Sequence, residues 1–481
     1  MRFQFGDFEL DAAAARLTRA GEPLTVPARH LDVLAALLAR AGEVVSKDAL
    51  VEAAWRDVAV TDNSLEQAIS SLRRALAAPD GGALIETVPR QGYRFAGEVQ
   101  RLTPRATDDT LEALIAPYRA FVEGRAALES LSVDRVIEAA RAFDLVLAAS
   151  PDNAAAHIGM ATANAMRFEM TRADPAPDLD ALAAATNHAR ESCRLDPRYG
   201  EAWATLGFVL DRTGAGVDAV AALSRAVSLE PDNWRHHLRL AAVSWGEARL
   251  RAAQRTLLLL PGCPLAHWLA ATVHVARQAL DEAERELTAG CAAVAAAGTE
   301  TRFSGVALEW LLGLIALSRG DTAAAAQHFD RELAAEAGGH LYARECCANV
   351  WYAIGATRWR EGDRAAAHDA FAQALRRVKG HALSSIMLMV IEGGSSLSAV
   401  ALAKAEDLQP RTAGSAVDPA IAQAVALTAL GQRAHAAATL DAALAAAPPG
   451  NGGWIVPVEP MLQAARPEWE PVLARLRNRA A

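Results

Sequence analysis

A small set of residue types returns at fixed offsets through most of this 481-residue chain, and that recurrence limits the fold more than any single motif. Within 203–231 the set is Trp203, Leu206, Gly207, Leu210, Ala219, Leu223, Ala226 and Pro231. The same offsets recur at Trp351, Ile354, Gly355, Ala367, Phe371 and Ala374, and again at Leu312, Gly313, Ala325 and Phe329. Partial copies stand at Ala139/Phe143/Pro151, Ala185/Ala189/Pro197, Ala253/Leu257, Ala283/Leu287 and Ala436/Leu440/Ala443/Pro448. Ala185, Ala219 and Ala253 are each 34 residues apart, while other steps are longer or shorter, so the array is degenerate and carries insertions. Small Ala and Gly let two antiparallel helices approach, and large Trp, Leu and Phe fill the space between neighbouring pairs. No pair buries its apolar face alone, so the pairs must stack. The length exceeds what one core supports, and the Ala-rich, 52% hydrophobic composition favours helix.

These positions resemble the tetratricopeptide pattern W-x2-L-G-x2-Y…A-x3-F-x2-A…P. Eight or nine such units cover most of 113–448, and the resemblance implies an all-α solenoid with a concave binding face. The final segment, 449–481, carries Trp469, Val472, Leu473 and Leu476 and is expected to cap the array.

The first hundred residues read differently. Phe3, Phe5, Phe8 and Leu10, then Leu24 and Val26, alternate with polar residues around turns at Gly6-Asp7 and Gly21-Glu22, which predicts short antiparallel strands. Leu31, Leu34, Leu37 and Leu38 follow Pro27 at helical spacing and stop at Gly42. Ser46 is placed to cap a second helix with Leu50, Val51, Ala54 and Trp55. A third helix starts near Thr61-Asp62-Asn63 and runs to about Ala77; beyond Pro79-Asp80-Gly81-Gly82, Leu84–Val88 and Tyr93–Val99 read as strands around Arg90-Gln91-Gly92. Residues 100–112 are polar with a proline and read as a linker between domains at 1–99 and 113–448.

The run from Leu31 to Phe95, including Gly42-Glu43-Val44-Val45-Ser46, Trp55, Leu72-Arg73, Thr87-Val88 and Gly92-Tyr93-Arg94-Phe95, resembles the effector domain of OmpR/PhoB-type regulators and their ToxR-like and CadC-like relatives. The resemblance spans 3–98. It implies a multidomain, mostly α chain whose α+β winged helix-turn-helix precedes the solenoid. It further implies a four-stranded N-terminal sheet, a third helix in the DNA major groove and a C-terminal hairpin wing.

Helical geometry says which side chains that helix would offer. Leu65, Ile69, Leu72 and Leu76 share one face and must be buried. The opposite stripe is Asn63, Gln67, Ser70 and Arg74, with Ser71 beside it. Amides pair with adenine, arginine with guanine O6/N7, and serine with several acceptors. Arg73 and Ser64 flank the stripe and suit phosphates, as do Thr87, Tyr93 and Arg94 on the hairpin; Arg90 suits the minor groove. Trp55 has two readings, core packing or a phosphate contact. The loop containing Arg56, Asp57 and Val58 also has two, a plain connector or, as the resemblance implies, a surface for RNA polymerase. Two features run against the family: Ser70 and Ser71 stand where many relatives carry basic residues, and residues 1–100 hold 11 Lys/Arg against 14 Asp/Glu. Phosphate neutralisation carries much of a DNA binder's affinity, so this domain is expected to bind weakly alone.

Much chemistry is excluded. The three lysines, Lys47, Lys379 and Lys404, follow no glycine, so there is no P-loop, and neither HExxH nor GxSxG occurs. His236 and His237 are adjacent and diverge on a helix. The five cysteines show no metal spacing and read as reduced, buried thiols. No enzyme, cofactor, metal or membrane span is expected, and the expected location is the cytoplasm. The expected partner is double-stranded DNA; the repeat groove is expected to take a protein, a peptide or a small ligand, or to pair two protomers as a homodimer. The rival reading is an adaptor whose winged helix no longer reads DNA.

Overall fold

The computed structural model describes residues 2–12, 14–55, 62–77, 83–101, 108–129, 133–297, 306–338, 340–393 and 417–481. Four strands come first: β1 (Arg2–Phe5), β2 (Phe8–Asp11), β3 (Arg16–Arg19) and β4 (Glu22–Leu24). They form an antiparallel meander in which Phe5 pairs with Phe8, Phe3 with Leu10, and Leu10 with Leu17. These are the inward positions of the alternation, and all five side chains are buried. The sheet gains a strand over the four expected, because β8 (Gln100–Arg101) pairs with β1. The segment expected as linker thus begins as strand, and helix already starts at Asp108; residues 102–107 lie outside the described residues.

Three helices lie between the sheets: α1 (Ala28–Ala39), α2 (Lys47–Ala54) and α3 (Asp62–Ala75). Ser46 caps α2, its hydroxyl accepting the Ala49 N–H at 3.2 Å. A second sheet orders β5 (Val44–Val45), β7 (Gly92–Phe95) and β6 (Ile85–Val88). Gly92 is required there, since a Cβ would lie 2.0 Å from the Val45 carbonyl oxygen. The expected turn at 79–82 and the loop at 56–58 are outside the described residues.

From Asp108 onward every described element is helical. The array runs α4 (Asp108–Glu129), α5 (Val133–Ala149), α6 (Ala154–Thr171), α7 (Leu179–Leu195), α8 (Gly200–Arg212), α9 (Gly216–Leu229), α10 (Trp234–Val243), α11 (Gly246–Leu259), α12 (Pro264–Ala276) and α13 (Leu280–Ala297). It continues with α14 (Leu308–Ser318), α15 (Thr322–Ala334), α16 (Ala343–Glu361), α17 (Arg364–Arg377), α18 (Ala382–Glu392), α19 (Asp418–Ala429), α20 (Arg433–Ala446) and α21 (Glu470–Arg479). Eight antiparallel hairpins are complete among the described residues. The small-residue rule holds at atomic level: a Cβ on Gly355 would lie 2.6 Å from the Phe371 ring, so glycine is what lets α16 lie against α17.

The array curls back on itself through charge. Glu169, almost fully buried at the end of α6, accepts from Arg212 at 2.5 Å and from the Tyr342 hydroxyl at 2.8 Å. Arg172 reaches Glu345, and Arg344 reaches Asp174, so residues about 170 positions apart are paired. Burial opposes ionisation of Glu169, yet Arg212 and Arg172 hold its carboxyl below the ordinary range.

The terminal segment does more than cap. Trp469, Val472 and Leu476 pack with Leu440 and Leu444 of α20, as an end cap would. Upstream of them the chain runs along the array: the Trp454 ring meets Trp268 of α12 edge-on, and Val458 joins the cluster around Leu311 of α14. The Tyr352 hydroxyl of α16 donates to Glu459 at 2.5 Å, and Arg277 donates to the Ala480 carbonyl at 2.8 Å. Helices α12, α14 and α16 are the first members of their hairpins, so the segment runs along the side of the array that these helices build.

Two outcomes follow. Phe371→Ala is expected to lower the stability of the helical array by about 3–5 kcal/mol, read from its urea transition. Burial pushes the Glu459 carboxyl up to about 7, against the Tyr352 hydroxyl, the Leu462 and Met461 N–H groups and Arg360, which all favour ionisation. A carboxyl raised on folding contributes stability that is complete below its unfolded value and is lost as pH rises through about 7. Urea midpoints at pH 5 and pH 8 should therefore converge for Glu459→Gln relative to the parent, by an amount of the order of 3 kcal/mol at most.

Candidate nucleic-acid interface

Helix α3 is rotationally fixed by its apolar face. Leu65, Ala68, Ile69, Leu72 and Leu76 are each no more than 2% exposed and join one core with Leu31, Leu34, Leu50, Ile85 and Phe95. The opposite side then follows from geometry: Gln67, Ser70 and Arg74 are exposed, and Ser64 and Ser71 are half-buried. Asn63 lies on the same helix, and its side chain is outside the described residues. Arg74 makes no hydrogen bond or ion pair among the described residues.

Arg73 is engaged differently. Its Nε donates to the Ile85 carbonyl at 2.9 Å and Nη2 donates to the Thr87 hydroxyl at 2.8 Å, which ties α3 to the first wing strand. Arg94 on β7 forks onto Glu86 of β6 at 2.6 and 3.1 Å. The wing thus brings Thr87 beside Arg73, while Arg94 pairs with Glu86 across the hairpin on the other face of the strands. Trp55 and Tyr93 are buried in the domain core, which favours the packing reading of Trp55.

The wing tip is a tight turn closed by the Gln91 N–H on the Val88 carbonyl at 3.1 Å. Pro89 supplies the second position, and Arg90 takes the third with φ of 63°. That left-handed conformation suits glycine and costs an L-residue roughly 1–2 kcal/mol. An exposed arginine is held there nonetheless.

Lys47 was missed by the sequence reading. It stands in the first turn of α2, and its ammonium is 3.1 Å from Glu66 on the outer side of α3. The signal was present: it is the single lysine of the first hundred residues and directly follows the cap of the first helix of the helix-turn-helix. Of the cysteines, Cys193, Cys263, Cys346 and Cys347 are buried and Cys291 is half-buried. His236 and His237 turn to separate partners, Glu230 and the Pro231 carbonyl.

Residues 21–95 match the family model described as "Transcriptional regulatory protein, C terminal". The N-terminal domain is an OmpR/PhoB-type winged helix-turn-helix. The transcriptional regulator HilA of Salmonella typhimurium is 37% identical over 119 residues, 24% of this chain and 21% of its own. The chain therefore spans about a fifth of the length of the curated relatives it matches. The solved DNA-binding domain of Escherichia coli CadC is 31% identical, covering 21% of this chain and 94% of that structure with a TM-score of 0.20. A human IFIT1 dimer solved with m7Gppp-AAAA covers 68% of this chain and 72% of its own at 16% identity and a TM-score of 0.48. No described helix is long and apolar enough to cross a membrane.

The tie from Arg73 to the wing is open to measurement. Arg73→Ala should lower the thermal stability of the winged helix by about 1 kcal/mol, a charge-assisted pair of hydrogen bonds discounted for solvent exposure. Unchanged stability would show that its contacts to Ile85 and Thr87 do not hold the wing.

Proposed function

We propose that this chain is a sequence-specific DNA-binding transcription regulator whose helical array serves as its sensor or protein-interaction domain. The division that goes with it is a winged helix at 1–99, extended by β8 to Arg101, a solenoid at 113–448 whose first helix already begins at Asp108, and a closing segment at 449–481. The observation that carries the reading is the exposed stripe of Gln67, Ser70 and Arg74 on a helix whose other face is fixed in the core. Amide, hydroxyl and guanidinium are the groups that pair with base edges in the major groove. Asn63 and Ser71 extend the stripe. We assign Arg73, Ser64, Thr87, Arg94 and Lys47 to backbone contacts, and Arg90 to the neighbouring minor groove.

The strained backbone at Arg90 supports the same reading. Glycine would be the easier residue there, so a cation at that tip is retained against the preference of the turn. RNA polymerase contact through Arg56, Asp57 and Val58, and pairing of two protomers, belong to this proposal. An acidic DNA-binding domain gains most from pairing, since linked sites multiply affinity without new contacts.

Titration of duplex DNA separates the roles. Arg74→Ala should cost about 1–3 kcal/mol at one base position and relax the preference there. Arg90→Gly should weaken every duplex alike and lower the salt slope by about 1, while the domain melts no earlier because the left-handed turn is relieved. Equal, salt-insensitive affinity of parent and both variants would instead favour the adaptor reading, which the acidic balance of residues 1–100 supports.

A further inference from the structure

The first turn of α1 carries Arg29 and His30 and no acid, the reverse of what the helix dipole favours at an N-terminus. Asp32 on the same helix lies near Arg29, and further counter-charge comes from outside the winged helix. Arg29 Nη1 is 3.5 Å from Oε2 of Glu230, the residue that ends α9 in the repeat array. Both side chains are largely covered, at 15% and 21% exposure.

Glu230 is fixed by its own surroundings. The same Oε2 accepts from Asn233 Nδ2 at 2.8 Å and lies 3.1 Å from His236 Nε2. His236 Nδ1 is 3.9 Å from Glu201 of α8, whose other oxygen accepts from Arg239 of α10 at 2.9 Å. Close polar contacts thus surround the carboxylate that meets Arg29. Burial works against the Arg29 cation, yet Glu230, Tyr199, Glu201 and Asp32 around it raise its pKa. Burial pushes the neighbouring His30 down to about 4, between Glu230 and Arg198, so it is neutral at pH 7.

No apolar core cluster spans this contact among the described residues. The core cluster of the winged helix holds no residue beyond Val99, and no cluster of the array holds a residue before Ala120, among the described residues. Contacts between domains that lack a shared apolar core allow relative motion by default. The contact also leaves Gln67, Ser70 and Arg74 exposed.

We propose that Arg29 and Glu230 form a releasable latch that docks the winged helix on the repeat array through α1 and keeps the reading side of α3 turned to solvent. The latch goes beyond the regulator reading and is tested without DNA, so failure of one leaves the other standing. A fluorophore attached through Gln91→Cys at the exposed wing tip reports domain tumbling in the full chain. The native thiols do not compete: four are buried, and Cys291 is pushed up to about 12 by burial. A docked domain tumbles with the 481-residue particle; a released one, of about a hundred residues, has a rotational correlation time about fivefold shorter. The parent should show only the slow anisotropy decay. Arg29→Glu, facing Glu230 and Glu201, should add the fast component, and Arg29→Met, which removes the charge but keeps most of the length, should add it with smaller amplitude. A slow decay unchanged in both variants, or a fast component already present in the parent, would overturn the latch.

Discussion

The burial of one face of α3 is the constraint from which the rest of the winged helix takes its meaning. Leu65, Ile69, Leu72 and Leu76 are locked against α1, α2 and the wing sheet, so the helix cannot rotate about its axis. The exposed outer stripe is therefore a consequence of packing. The same core positions the wing: Ile85 and Phe95 anchor its two long strands, and Arg73 ties the first of them to α3. Helix α3 and the wing accordingly form one packed unit.

The helical array is held by a different logic. Each hairpin buries its apolar residues only against neighbours, so stability is distributed along the chain. Charge then closes what apolar stacking leaves open. Glu169, with Arg212 and Arg172 around it, joins the early hairpins to α16, and Glu459 fixes the terminal segment to the same helix through Tyr352. A buried carboxylate of this kind is costly unless each oxygen is matched, so these contacts specify one arrangement of the array more than they add stability. The terminal segment runs along the side of the array between α12 and α16, where Trp268 and Tyr352 hold it.

Much of this was legible in the sequence because it rests on periodicity. The alternation of Phe3, Phe5, Phe8 and Leu10 gave the strands, the spacing of Leu65 to Leu76 gave the buried face of α3, and the Gly355–Phe371 offset gave the hairpin contact. What escaped is non-local or depends on backbone angles. Nothing in the run around Gln100 says that it will pair with β1, because two residues carry no period. The return of 449–481 along α12 to α16 depends on contacts such as Tyr352–Glu459, more than a hundred positions apart. The left-handed backbone at Arg90 breaks the residue preference of its turn, and such conflicts concentrate where a chain does something other than fold. Arg29 and His30 left a local trace, basic residues at a helix start, but their partner lies two hundred residues away.

The central claim is that α3 and the wing read DNA sequence. Its most direct test is selection from a pool of random duplexes by the full chain at physiological salt, followed by affinity measurement on the recovered DNA. The account predicts a recurring motif, bound at least about a thousandfold more tightly than unselected duplex at the same salt. Recovery of unrelated sequences, bound no better than the starting pool, would contradict it.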